Sequence, residues 1–289
     1  MTRCTAPIRN ASDWKSAFLA DREALLSAIL FAAFPYHMEA VGWIAERKGL
    51  LAFMFMMLAT LADLKYRERG SLRFLAMAVL AYAASLLCKS MWVSWPILAA
   101  VMAMLRPPGI DHAIPFRRWI KTALPAYLLL ATTAAMVQTR IGNASWEYPL
   151  GEDPMERLIF VILTLAHYLL CFFQPLDIMP INLWGWDGLP SPAVVAAGLI
   201  AIAAIGGCAV LFYLRGCRWP LVAAAWFAIS LGPVVNLAPM LYPHGDRFLY
   251  GPSLAVLLPF GWLLGWLTRR GKPVPVSYTH LAGDSQMTL

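Results

Sequence analysis

An all-α polytopic membrane fold is what this sequence predicts, and three observations predict it. Apolar residues make up 60% of the 289 and charged residues 13%, against about 45–50% and about 25% in an ordinary soluble domain. The apolar residues come in runs, and a bilayer takes about 20 helical residues per crossing. These Ala-, Leu- and Ile-rich runs lack the alternation of a barrel strand, so each backbone must satisfy its own hydrogen bonds as a helix. The net charge of +7 suits basic residues gathered in cytoplasmic loops and calls for no nucleic acid. Five cysteines, an odd number with no CxxC, speak against a disulfide framework or a zinc site.

In chain order, residues 1–23 are mixed and polar, without the apolar core of a cleavable signal, and read as a cytoplasmic segment. The membrane domain, 24–272, holds the apolar segments Ala24–Phe34, Leu50–Tyr66, Leu72–Cys88, Trp92–Leu105, Ile120–Val137, Leu158–Phe173, Ala193–Leu214, Leu221–Val235 and Leu254–Thr268. The tail, 273–289, is polar, unlike everything before it, and reads as disordered and non-native.

Basic clusters fix the expected orientation. Lys65, Arg67 and Arg69 form one, and Arg106, Arg117, Arg118 and Lys121 a second. Arg215 with Arg218 is a third, and Arg269, Arg270 and Lys272 a fourth. All are expected in the cytoplasm. Between the second and third lie three apolar segments where an even number of crossings is needed, so one does not cross. Residues 158–173 are the choice: acidic residues precede them and a loop free of Lys and Arg follows. The expectation is about eight transmembrane helices plus one re-entrant or interfacial helix.

That count puts Pro35–Gly49, the turn Lys89–Met91, residues 138–192 and Asn236–Tyr250 on one outer face, with most of the unusual polar residues. His37 and Glu39 follow Pro35, which breaks the helix before it. They form either a wet loop with a helix cap, or an imidazole and carboxylate facing a cavity at the membrane surface. No third ligand stands nearby for a metal. Glu46, Arg47 and Lys48 are either snorkelling anchors or, through Arg47 or Lys48, a grip on a headgroup phosphate. Lys89, in LLCKSMW, sits between two apolar runs. It is either an interfacial lysine beside Trp92 and Trp95 or a functional intramembrane charge. In LAPMLYPHGDRFLYGPS, His244, Asp246, Arg247 and Tyr250 crowd a turn, and Arg247 is a second candidate phosphate clamp. Asn143-Ala144-Ser145 matches the short glycosylation pattern.

Together these stretches resemble a known family. HMEAVGWIAERKGLL is similar to the histidine–glutamate loop, roughly H-P-x-H-x-E-A-V-x-W-I-x-x-R, of membrane glycosyltransferases of the C-type fold. These often carry tetratricopeptide repeats and include the protein O-mannosyltransferases of the endoplasmic reticulum and bacterial relatives. Phe34 replaces the first histidine, while Pro35, His37, Glu39, Ala40, Val41, Trp43, Ile44 and Arg47 match. LLCKSMWVSWP resembles A-K-P-M-L-V-T-L-P through Lys89, Met91, Val93 and Pro96. GDRFLYGPS resembles A-D-R-Y-x-Y-x-P through Asp246, Arg247, Tyr250 and Pro252. The resemblance runs from about Ala24 to Thr268.

It implies transfer of a mannose-like sugar from a polyprenyl-phosphate carrier to a protein hydroxyl, on the outer face of a bacterial inner membrane or the lumenal face of the endoplasmic reticulum. Glu39, His37 and Asp246 would be the catalytic group. Arg47, Lys89, His244, Arg247 and Tyr250 would bind substrate. The lipid-linked sugar is the donor substrate, with no separate cofactor expected and a divalent metal left open. Membrane lipid and an acceptor protein are the other partners. Family members open with a further helix and an outer loop bearing an acidic pair, the usual base, and end in repeats. This chain is therefore read as a fragment or decayed copy of such an enzyme, which leaves its activity open. A transporter or flippase for a lipid-linked or anionic substrate is the alternative, and a catalytically silent membrane anchor the third reading.

Overall fold

Most of the expected apolar segments are helical in the computed structural model, which describes residues 21–106, 114–142, 154–173, 192–235 and 245–270. Among the described residues no strand occurs. The first helices are α1 (Asp21–Ala33), α2 (Met38–Gly42), α3 (Arg47–Arg69), α4 (Leu72–Cys88), α5 (Trp95–Leu105) and α6 (Phe116–Thr122). They are followed by α7 (Leu124–Gly142), α8 (Pro154–Leu170), α9 (Pro192–Leu214), α10 (Trp219–Leu231) and α11 (Leu254–Arg270). His244, the Asn143-Ala144-Ser145 pattern and the tail 273–289 lie outside the described residues.

Local chemistry sets the breaks. Phe34 is extended (φ −69°, ψ 118°) because the Pro35 ring disfavours a helical conformation before it. Pro35 then opens a 3-10 turn, Pro35–His37. Gly70 ends α3 in the left-handed region, φ 69°, its N–H bonded to the Tyr66 carbonyl at 2.8 Å. The 3-10 turn Ser90–Ser94 occupies the front of the expected segment Trp92–Leu105 and leaves α5 only 11 residues.

These breaks correct the expected number of spans. Among the described residues two helices are long and apolar enough to cross a membrane, Ile44–Arg69 and Pro192–Leu214. Two bent pairs, Glu23–Ala33 with Pro35–Gly42 and Phe116–Thr122 with Leu124–Arg140, raise that to four if each pair is one span. The figure is below the eight or so expected because proline and 3-10 turns cut the apolar runs short. Helices α4, α8 and α11 have 17 residues each, about 26 Å at 1.5 Å per residue, against a hydrocarbon core of about 30 Å.

Helix α3 packs against α4, α1 against α11, α9 against both α8 and α10, and α10 against α5. The α1–α11 seam is close because a Cβ at Gly261 or Gly265 would overlap Ser27 or Glu23. The Ser27 hydroxyl, buried at that seam, donates to the Glu23 carbonyl at 2.7 Å.

A second correction concerns Arg67, expected in a basic loop with Lys65 and Arg69. Lys65 and Arg69 are exposed, lying over the Phe74 ring. Arg67 points inward, 2% exposed, and pairs with Asp63 one turn earlier. Arg67 Nη2 donates to the Ala99 carbonyl at 2.8 Å. Asp63 Oδ1 accepts from Trp119 Nε1 at 2.8 Å and from the Tyr127 hydroxyl at 3.0 Å. One buried carboxylate thus ties α3 to α6 and α7, while its arginine reaches α5. Trp92 and Trp95, expected beside Lys89 at an interface, are 2% and 1% exposed; Trp95 Nε1 donates to Thr60 Oγ1 at 2.9 Å.

Candidate functional site

The residues between α1 and α3 form a folded corner. The turn Pro35–His37 runs into α2, whose first turn carries Glu39, and the turn Ile44–Glu46 leads into α3. Trp43 breaks the two helical pieces apart with an extended backbone, φ −83° and ψ 115°. Glu39 and Glu46 therefore face one place from two directions. The 3-10 turn Asp246–Leu249 meets them there, and Lys89 arrives from the end of α4.

What forms is a row of alternating charges. Glu39 accepts the Arg247 backbone N–H on Oε2 at 2.8 Å and Arg247 Nη1 on Oε1 at 2.5 Å. Arg247 Nε lies 3.5 Å from Glu46 Oε1, and Lys89 Nζ donates to Glu46 Oε2 at 2.7 Å. The side chains are 7%, 9%, 10% and 20% exposed for Glu39, Arg247, Glu46 and Lys89. At that burial each charge needs its neighbour, since removing one partner of a buried pair costs about 3–5 kcal/mol. The Arg247 guanidinium also lies over the Phe248 and Trp43 rings, at 4.7 and 5.3 Å. Gly49 gives the Glu46 carboxylate its room: a Cβ there would stand 2.8 Å from Oε2.

Beside the row lies a cleft lined by Glu46, Lys89 and Arg247 on its charged side and by Leu50, Phe53, Met91, Trp92 and Tyr250 on its apolar side. It is narrow, ≈ 10 Å³, about enough for one water. Burial pushes the Tyr250 phenol above its ordinary pKa. The cleft thus sets a charged rim over an aromatic and aliphatic wall.

The structure brings some of the expected site residues together and leaves others apart. Glu39, Lys89, Arg247 and Tyr250 converge. His37 is buried behind the cleft, its Nε2 2.9 Å from Ser253 Oγ and its ring packed on Phe31, Phe34 and Tyr250. The Ser253 hydroxyl lies within reach of both His37 Nε2 and the Tyr250 carbonyl, the latter 2.8 Å away. His37 thus braces the entry to α11. Arg47 is exposed at the start of α3, outside the charged row. Asp246 is buried, 3% exposed, and the carboxylate that orients Arg247 is Glu39, 208 residues away.

Glu46, passed over in the sequence in favour of its neighbours Arg47 and Lys48, is the member that joins Lys89 to Arg247. One signal could have found it: the glycine three residues on, at the spacing that clears a side chain on the preceding helical turn. Among the described residues no group of three His, Cys, Asp or Glu side chains is placed to hold a metal ion. No family model matches this chain, and no curated protein and no solved structure matches it.

Proposed function

We propose that this chain is a membrane glycosyltransferase module that moves a sugar from a polyprenyl-phosphate carrier to a protein hydroxyl on the outer face of the membrane. The observation that supports the reading is the convergence of three separate sequence stretches, around Glu39 and Glu46, at Lys89 and at Arg247, on one cleft. In this reading the broken and short helices complete about eight crossings, α8 lies on or within the outer side, and the basic clusters, apart from the inward-turned Arg67, face the cytoplasm.

The chemistry needs few groups. The acceptor hydroxyl attacks the anomeric carbon, and the bond from that carbon to the phosphate oxygen breaks with its electron pair leaving on the phosphate. A carboxylate takes the hydroxyl proton. Glu39 holds Arg247 through both oxygens, so it positions the clamp rather than serving as base. Asp246, next to Arg247 in the chain and buried, is the reserve for the base. Arg247 and Lys89 stand where negative charge grows on the departing phosphate.

The test is transfer of label from a radiolabelled polyprenyl-phosphate mannose to an acceptor peptide, with the full chain in lipid vesicles. Arg247→Ala is expected to cut the rate at least about tenfold, roughly 1.4 kcal/mol of transition-state stabilisation. Unchanged turnover in that variant removes Arg247 from the site, and no transfer by the unaltered chain removes the activity.

A transporter of an anionic or lipid-linked substrate is favoured by one observation, the buried Asp63–Arg67 pair inside α3, since ionisable groups within a span often line a path. Its tight ties to Trp119, Tyr127 and the Ala99 carbonyl fit a structural brace better. Flux of labelled lipid-linked sugar between the leaflets of vesicles, without transfer, would support the transporter instead.

A further inference from the structure

We infer that Glu46 is a resident anion of the cleft, displaced from Lys89 and Arg247 when a phosphate-bearing ligand enters. The inference rests on the reading that the cleft takes such a ligand, and adds how access to it is controlled.

The two carboxylates of the row are held unequally. Glu39 takes two bonds from Arg247, at 2.8 and 2.5 Å, one of them from the backbone. Glu46 has one short contact, 2.7 Å to Lys89, and stands 3.5 Å from Arg247 Nε. Glu39 is the fixed partner and Glu46 the exchangeable one. Glu46, Lys89 and Arg247 line the cleft, so the Glu46 carboxylate fills the place between the two cations that an external anion needs. That accounts for a cleft with three charged walls and room for about one water. Gly49 keeps the carboxylate there, because a Cβ at that position would press on Oε2. An entering phosphate takes over Lys89 Nζ and Arg247 Nε, and the Glu46 side chain swings out of the row. No covalent bond changes in this step.

Competition of like charge gives the test its sign. Full-length chain in detergent micelles is titrated with farnesyl phosphate and, separately, with inorganic phosphate. Glu46→Gln is expected to bind farnesyl phosphate at least about tenfold more tightly than the unaltered chain, because the displaced negative charge is gone. Gly49→Ala, which keeps the charge but crowds the carboxylate out, is expected to tighten binding too, and it decides the matter if Glu46→Gln fails to fold. Lys89→Met is expected to weaken binding. If the unaltered chain binds and both Glu46→Gln and Gly49→Ala bind no better, the displacement is wrong while phosphate recognition stands. If the unaltered chain and both variants bind neither ligand, phosphate recognition itself fails. Inorganic phosphate tightened by the same variants and binding as well as farnesyl phosphate upholds the displacement and assigns the site to a free anion.

Discussion

At the scale of single residues, the row Glu39–Arg247–Glu46–Lys89 depends on each member. Glu39→Gln leaves the Arg247 guanidinium, 9% exposed, without its main counter-charge. The expected loss is about 3–5 kcal/mol of stability, read as earlier unfolding with denaturant in micelles; an unchanged midpoint would show that the pair contributes nothing net. Trp119→Phe keeps an aromatic ring but loses the indole N–H, one of the two donors to Asp63 Oδ1. With a buried acceptor partly unsatisfied, the same measurement should fall by about 1–3 kcal/mol. Of this scale the sequence shows the residue types but not the pairing. Lys89 stands out because a cation in an apolar setting is costly, and Arg247 because it belongs to a polar island at a turn. Glu39 stands out too, beside His37, but which cation it meets does not, since it lies 208 residues from Arg247, and Glu46 lies 43 from Lys89.

At the scale of elements, the buried pair Asp63–Arg67 couples α3 to α5, α6 and α7. Asp63→Asn should destabilise by about 3–5 kcal/mol because the arginine stays buried without its carboxylate, whereas Asp63→Leu with Arg67→Met should cost much less. Equal losses in the two proteins would overturn that account. The α1–α11 seam gives a steric counterpart. Gly261→Val would drive a branched side chain into the Ser27 backbone, and overpacking of this kind costs about 1–3 kcal/mol. Faster proteolytic cutting between α1 and α2 would report the seam opening. The helices were legible because their apolar runs are long and uniform: segment Leu72–Cys88 is α4 residue for residue. Their ends were less so. A 3-10 turn such as Ser90–Ser94 is still mostly apolar, with Met91, Trp92 and Val93 at its centre, and composition carries no record of backbone angles.

At the scale of the whole molecule, the site and the basic clusters are expected on opposite faces. Met38 is exposed near Glu39, and Arg69 is exposed at the far end of α3, about 33 Å along a 23-residue helix from Arg47. In a chain whose native cysteines are replaced by alanine, Met38→Cys should react with an impermeant reagent only from outside and Arg69→Cys only from the cytoplasm. Labelling of both from one side would break the proposed topology. What the sequence by itself determined is the all-helical class of structure. A chain 60% apolar with helical-length runs favours helices, some of them long and apolar enough to cross a membrane, because hydropathy and backbone satisfaction are local properties. Parity of the basic clusters led to the expectation of one outer face for the loops that carry Glu39, Lys89 and Arg247, residues that the structure brings together. Only the tertiary structure decided which charges meet, that Arg67 turns inward to Asp63 while Arg47 stays exposed, and that Glu46 rather than its neighbours closes the row. Such pairing is set by where separate helices come to rest against one another, and an ion's partner is fixed by a few ångströms of packing that no spacing along the chain encodes.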